Sequence, residues 1–277
     1  MTLKDTVLEL DDTIEPSKRS PFNQKSILIS VLTLILLLTL WEAVSFFALI
    51  PELYLPSPIM VIVRLWSVAT DGYMDATLWQ HLLASITRIS LGLLIAVILA
   101  IPTGLLIGLN ATASAVIDPL IEFYRPIPPL AYLPLIVIWL GIGETSKVFL
   151  IYLAIFGPVV VSTAAGVQKL DSNRVRVAKS LGASKLQIIR FVVLPSVLPD
   201  ILTGIRIGLG AGWSTLVAAE LVAANRGLGF MIQSASQFLI TDLVIAGILV
   251  IAMVAFAIEV LLRYLQHKLV PWQGLTH

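Results

Sequence analysis

The feature that most constrains this chain is a series of apolar runs long enough to cross a lipid bilayer. A run of about 18 or more apolar residues is typical of a membrane-spanning helix, because the hydrocarbon core is about 30 Å thick. Composition agrees, since 58% of the residues are hydrophobic and only 13% are charged, against about 25% charged in soluble domains. The sequence therefore predicts an all-α, multi-pass membrane protein.

Six apolar segments are predicted to be membrane spans. They lie at about 27–50, 82–109, 120–140, 148–167, 197–223 and 243–265. A short amphipathic helix at the membrane surface is expected between the first two spans, over 56–69. The predicted organisation is an N-terminal tail over 1–26, a membrane domain over 27–265 with a loop at about 168–195, and a C-terminal tail over 266–277.

The basic residues predict the orientation of these spans. Lys and Arg favour cytoplasmic loops, and 12 of the 18 lie in the first tail, in the loop 169–190 and after residue 262. An even number of spans places both termini on the same side of the membrane. We therefore expect both termini and the 169–190 loop to be cytoplasmic.

Several classes of chemistry are excluded by what the sequence lacks. There is no cysteine, so neither disulfides nor thiolate sites can form. The histidines at 81, 267 and 277 lack the spacing of a metal site. No phosphate-binding loop and no hydrolase motif is present. We expect no catalytic residue, metal or cofactor on this chain, so uphill transport would draw on an ion gradient or on another subunit.

The loop between the fourth and fifth spans has the pattern of a helical elbow. Asp171 or Ser172 is a helix start signal and Gly182 is a stop signal. A second, apolar helix is expected to end at Leu194 and Pro195. The pattern predicts two short helices joined at a glycine corner.

This elbow resembles the cytoplasmic motif of the permease subunits of binding-protein-dependent ABC importers, Glu-Ala-Ala-x3-Gly-x9-Ile-x-Leu-Pro. In that family the elbow is the coupling helix that docks on an ATPase subunit. Arg176 and Val177 stand where the family has Glu and the first Ala. The resemblance implies a coupling loop formed by Arg174, Arg176, Ala178, Lys179, Gly182, Ala183, Leu194 and Pro195.

Longer stretches at 74–81, 124–134 and 212–220 resemble the taurine branch of the nitrate, sulfonate and taurine permeases. The resemblance implies the type I permease fold in the bacterial inner membrane, and taurine or a related sulfonate as substrate. The implied partners are a second permease copy as a homodimer, a periplasmic binding protein, and ATPase subunits that hold ATP and magnesium. Membrane lipid surrounds such a chain, and no nucleic acid is expected.

Two alternatives stay open at this point. A permease of the same class could import an alkanesulfonate, nitrate or another small ligand. An ion-coupled secondary transporter would need ion ligands near the midplane, commonly with inverted repeats. The proline-rich third span favours the second alternative, whereas the elbow and the lack of a visible repeat disfavour it.

The translocation pathway is predicted from irregular backbone and from charge within the spans. Prolines break backbone hydrogen bonds, which is tolerated at membrane depth only inside protein or beside a cavity, and ionisable residues there are costly. The candidate pathway residues are Arg125, Pro126, Arg206, Trp213, Ser214 and Glu220. For a zwitterionic sulfonate, Arg206 or Arg125 would attract the sulfonate and Glu220 the ammonium group.

The remaining notable residues have structural interpretations. Arg88 is expected to extend towards the membrane interface, and Glu259 and Arg263 form an i, i+4 pair. Glycines spaced four residues apart predict close helix packing. They are Gly104 and Gly108 in the second span, and Gly204, Gly208 and Gly212 in the fifth.

Overall fold

The computed structural model describes residues 24–271, which are helical with no β-strand in that range. The helices are α1 (Gln24–Phe46), α2 (Pro58–Thr70), α3 (Leu78–Leu109), α4 (Ala111–Tyr124), α5 (Leu133–Leu140), α6 (Glu144–Gln168), α7 (Ser172–Ser180), α8 (Lys185–Ile188), α9 (Leu194–Ala223), α10 (Leu228–Gln237) and α11 (Thr241–Leu269). A 3₁₀ turn, Pro129–Tyr132, precedes α5, and a π-helical turn, Ile189–Val193, joins α8 to α9. The predicted N-terminal tail lies almost wholly outside the described residues.

Within residues 24–271, five helical segments are long and apolar enough to cross a membrane, or six if the bent pair of α4 and α5 counts as one span. This confirms the all-α, multi-pass prediction. The amphipathic helix expected over 56–69 is also present as α2, which buries Val61 and Val68 and exposes Ile62 and Trp66.

The third span differs from its prediction. The helix begins at Ala111, because the Asn110 side chain accepts hydrogen bonds from the backbone N–H groups of Thr112 and Ala113 at 2.9 and 3.3 Å. It ends at Tyr124, and the chain then bends by 88° before α5. The prolines at 126, 128 and 129 lack backbone donors, so the helix cannot continue through them. The prolines therefore interrupt the third span as the sequence predicts, but the bent pair covers 111–140 in place of 120–140.

Helix α6 is the centre of the bundle, between α3 and α9, and half of its most apolar stretch is buried. The glycine faces of both neighbours make this possible. A Cβ on Gly104 of α3 would lie 2.6 Å from Thr163, and one on Gly208 of α9 would lie 3.0 Å from Ile155. The predicted packing role of these glycines is confirmed.

The chain divides into two compact units after Glu52. The first contains α1, whose apolar side chains are exposed from Ile27 to Leu40. The second begins at Leu53 and contains every residue of the sites described below. Within it, Arg64 of α2 pairs with Asp242 in the first turn of α11 at 2.7 Å.

Candidate functional site

The start and the corner of the elbow have the local structure that the sequence predicts. The Asp171 carboxylate caps α7 by accepting a hydrogen bond from the backbone N–H of Asn173 at 2.8 Å. At the corner, Gly182 has a φ of +81°, which costs an L-residue about 1–2 kcal/mol. Helix α8 then begins after Ser184, whose backbone N–H donates to the Gln187 side chain at 2.8 Å. Short polar caps and one left-handed glycine therefore define the corner.

The surface of the elbow combines an apolar apex with a basic rim. Leu181 is 82% exposed, and Val177 and Leu186 are also largely exposed. Arg174, Arg176 and Lys179 are exposed in the same segment, and none forms an ion pair with an acidic group in the part of the chain that the structure describes. The elbow therefore exposes apolar side chains within a segment that is otherwise rich in basic and polar residues.

Below the apex, the base of the elbow is anchored in the bundle. Ala178 and Ala183 are half-buried against a cluster that includes Val193 and Val197. The cluster contains side chains from α6 and α9 as well as from the elbow. The elbow is thus a projection of the packed core.

The second elbow helix does not end at Leu194 and Pro195, so that prediction is wrong. Instead, the chain passes from α8 into α9 through the π-helical turn, in which the Leu194 N–H donates to the Ile189 carbonyl five residues earlier. The wider turn accommodates Pro195, which lacks an N–H and would crowd the carbonyl of a regular α-helical turn. The elbow is therefore continuous with α9, which carries Arg206, Trp213 and Glu220.

Near the other end of α9, Arg88 forms a buried charge cluster. Its guanidinium donates to the Glu144 carboxylate from Nε at 2.6 Å and from Nη2 at 2.7 Å. Its Nη1 donates to Glu220 Oε1 at 2.6 Å and to the Arg226 carbonyl at 2.7 Å. Only 5% of the side chain is exposed, so the expectation that Arg88 extends towards the interface is wrong. Its two carboxylate partners lie on other helices, and local spacing does not predict them.

Glu220 is enclosed by the same cluster. None of its side chain is exposed, and besides Arg88 it accepts hydrogen bonds from Ser85 Oγ at 2.8 Å and the Gly229 N–H at 2.9 Å. Gly227 packs directly on the carboxylate. The prediction that Glu220 attracts a substrate ammonium group is corrected here, because protein donors already occupy the carboxylate and the protein covers it.

His81 is a buried residue of this region that sequence reasoning missed. Its Nδ1 accepts a hydrogen bond from the Gly227 N–H at 3.1 Å, and its Nε2 lies 3.1 Å from the Tyr73 carbonyl. Both ring nitrogens are used when the ring is neutral with its proton on Nε2. His81 thereby fastens α3 to the turn at 72–76 and to the segment that follows α9.

A second charge cluster lies between α9 and α11, which are both candidate spans. A pocket of about 260 Å³ is lined by Arg206, Trp213 and Glu259, together with Leu209, Gly210, Ala255, Ile258 and Leu262. Arg206 Nε lies 3.0 Å from Glu259 Oε1, and Arg263 Nε donates to the same oxygen at 2.8 Å. The predicted pair of Glu259 and Arg263 is confirmed. The third member of the cluster, Arg206, belongs to another helix and could not be inferred from i, i+4 spacing.

The structure separates the other candidate pathway residues from this pocket. Arg125 and Pro126 are exposed at the bend after α4. Ser214 is exposed on α9, where its hydroxyl donates to the Gly210 carbonyl at 3.2 Å. Of the predicted set, only Arg206 and Trp213 line the same pocket. Among residues 24–271, no cluster of three or more His, Asp or Glu side chains could hold a metal ion.

Comparison with known proteins gives the family. Residues 92–271 match the model of the binding-protein-dependent transport system inner membrane component. The chain belongs to this family. The match covers the elbow, the pocket between α9 and α11, and Glu220, so these features lie in the part that defines the family. As a member, the protein is a multi-pass transport component of the inner membrane.

Individual relatives agree with this membership. The chain is 59% identical over 251 residues to the taurine transport system permease protein TauC of Escherichia coli strain K12, covering 90% of this chain and 91% of that protein. It is 34% identical to the putative aliphatic sulfonates transport permease protein SsuC of Bacillus subtilis strain 168, covering 86% of this chain and 85% of the relative.

A solved structure supports the fold separately. The methionine ABC transporter MetNI, in an inward-facing conformation, has a chain that matches with a TM-score of 0.61 at 16% identity. The match covers 77% of this chain and 99% of that one. At this level of identity the likeness concerns the fold alone, and it confirms the ABC importer permease architecture.

Proposed function

We propose that this chain is the permease subunit that carries taurine, or a closely related sulfonate, through the inner membrane in an ATP-driven importer. The observation that carries the proposal is the 59% identity to a taurine permease along 90% of the chain. The lower identity to a permease named for aliphatic sulfonates supports the same chemical class. Taurine, a zwitterion with a sulfonate and an ammonium group, is the substrate named for the relative of higher identity.

In this proposal the elbow is the site at which ATP hydrolysis by partner subunits is coupled to transport. The sequence has no phosphate-binding loop of its own, so ATP and magnesium would be held by partner ATPase subunits. The apolar apex at Leu181 and its basic rim have the composition of a surface that docks on another protein. Closure of the ATPase pair would move the elbow, and α9 would move with it because the π-helical turn joins them without a break.

The remaining partners follow from the family. A second copy of this chain would complete the pathway, with both termini in the cytoplasm and a periplasmic binding protein at the opposite face. The exposed residues Arg125, Pro126 and Ser214 are proposed to face that pathway, together with the pocket that holds Arg206 and Trp213. Between residues 203 and 214, the exposed positions of helix α9 are Thr203, Ile207, Gly210, Ala211 and Ser214.

Uptake of labelled taurine by cells with and without this gene, grown under sulfur limitation, tests the proposal. We expect the gene to restore taurine uptake, with alkanesulfonates and nitrate as competitors that define the substrate range. Vanadate should abolish the uptake, because it inhibits ABC ATPases. Uptake that continues without ATP and follows a proton or sodium gradient would instead support a secondary transporter and contradict the proposal.

A further inference from the structure

We propose that the pocket between α9 and α11 is an intramembrane binding subsite for a zwitterionic sulfonate, in which Arg206 binds the sulfonate and Glu259 the ammonium group. The inference rests on the proposed function for its substrate class. It replaces Glu220 with Glu259 as the acidic partner and gives Arg206 a defined counterpart. The pocket of about 260 Å³ lies just below the usual size range of small-molecule sites.

Arg206 has binding capacity that the protein does not use. Its side chain is 35% exposed, and its contact with Glu259 is through Nε. Within the described part of the chain, Nη1 and Nη2 have no hydrogen-bond partner. A guanidinium presents a planar fork of donors that suits a two-oxygen contact with an oxyanion. Those two nitrogens are the groups that would bind a sulfonate.

Glu259 is the complementary half of the site. Arg206 and Arg263 both contact Oε1, and the side chain is 33% exposed. Across residues 24–271, no hydrogen bond reaches Oε2, so this oxygen can accept one from an ammonium group. Two guanidinium groups share one carboxylate, which leaves the cluster with a net positive charge. Arg206 would bind the sulfonate end, and Oε2 of Glu259 would orient the zwitterion by its ammonium end.

Trp213 supplies a further indication that the pocket is incomplete without a ligand. Its Nε1 is the one buried side-chain polar atom of the described residues that lacks a hydrogen-bond partner. A buried donor of this kind is rare in a native protein and needs an explanation. The atom itself is covered, so a ligand oxygen would reach it only after the indole ring shifts. We therefore expect the ring to move when the pocket is occupied.

The contrast with the Arg88 cluster shows why this pocket is the better candidate. In that cluster the guanidinium nitrogens of Arg88 and the carboxylate of Glu220 are all directed at protein groups, and both side chains are buried. The Arg88 cluster also borders a cavity, of about 650 Å³, which Arg88 and Glu144 help to line, but their polar side-chain atoms are bonded to protein groups. In the smaller pocket, Arg206 and Glu259 each keep a polar atom without a protein partner in the described part of the chain. Charges at membrane depth are costly and commonly mark a pathway or site. The two clusters thus have different roles: the first fastens helices and the second binds substrate.

Equilibrium binding of labelled taurine to the purified permease–ATPase complex in nanodiscs, without binding protein, tests this site. Ethanesulfonate, which lacks the ammonium group, serves as the competing ligand. Arg206→Gln should weaken both ligands by about tenfold or more, the usual effect of losing a hydrogen bond to a charged group. Glu259→Gln should weaken taurine by a similar factor and leave ethanesulfonate binding unchanged or stronger.

Arg263→Gln is the matched control, because it removes the other ion pair of Glu259 without changing a residue that lines the pocket. It should retain taurine binding within about threefold, well under the effect of a lost charged contact. Equal losses for both ligands in Glu259→Gln, losses in Arg263→Gln that match Arg206→Gln, or no binding of millimolar taurine to the wild-type complex would overturn the site. Absence of taurine uptake in wild-type cells would instead overturn the proposed function.

Discussion

Arg88 and Glu220 lie 132 residues apart in the chain, and their side chains form a buried ion pair with 2.6 Å between Nη1 and Oε1. The pair fastens α3 to α9, and the second carboxylate on Arg88, that of Glu144, adds the start of α6. One guanidinium therefore connects three of the candidate spans at one end of the bundle.

Removing Arg88 should destabilise the protein strongly. Arg88→Met leaves Glu220 buried without its cation, and such a loss typically costs about 3–5 kcal/mol. Thermal unfolding of the purified complex in detergent would measure the loss. The double variant Arg88→Met with Glu220→Met should recover much of it, because both buried charges are then removed.

Arg64→Met is the matched control for that prediction. Its ion pair with Asp242 is partly exposed, and pairs of this kind contribute about 0–1 kcal/mol. If Arg88→Met unfolds at the same temperature as Arg64→Met, the charge cluster does not clamp the helices.

Gly182→Ala should weaken the coupling of ATP hydrolysis to transport. The backbone strain of about 1–2 kcal/mol at φ +81° favours a different corner angle, which moves the apex away from its docking position. Gly141→Ala provides a control, since Gly141 has a φ of +79° and open space around it but joins α5 to α6. The measurement is ATP hydrolysed per taurine imported in vesicles, and equal ratios in both variants would contradict the coupling role.

Leu181→Ser should reduce retention of the ATPase subunits during purification while leaving the fold intact. The side chain is 82% exposed, so its replacement removes little packing from the single chain. If the apex is docked on the ATPase, the replacement also removes apolar area from that interface, and each Å² of buried apolar area stabilises the complex by about 25 cal/mol. Phe238→Ser, at an exposed position outside the elbow, is the comparison. Undiminished copurification with Leu181→Ser would show that the apex does not contact the ATPase.

Gly104→Ala should lower the stability of the bundle by about 1–3 kcal/mol, the usual effect of overpacking a core. Its added Cβ would lie 2.6 Å from the Thr163 side chain, so α3 and α6 would have to separate. Gly210→Ala is the control because its Cβ would meet nothing within 4 Å. Comparable unfolding temperatures for the two variants would show that α3 and α6 do not need this close approach.

The elbow shows how far local sequence reaches. An Asp171 cap and a Gly182 corner are each decided by residues within one or two helical turns, so the sequence predicts them correctly. Local sequence could not predict where the second elbow helix ends, because Pro195 is compatible with either a helix break or a π-helical turn. Packing of Val193 and Val197 into the bundle favours the continuous form.

The amino-acid sequence by itself determined the apolar spans, the glycine packing faces and the elbow, because each depends on hydrophobicity or backbone preference along a short segment. Only the tertiary structure decided which charges meet. Arg88 and Glu220, like Arg206 and Glu259, belong to different helices. A lone charge within an apolar run has the same local pattern whether all its polar atoms are bonded to protein groups or some of them stay open. Helix packing supplies the partners, and the partners decide whether a buried charge is satisfied or free to bind.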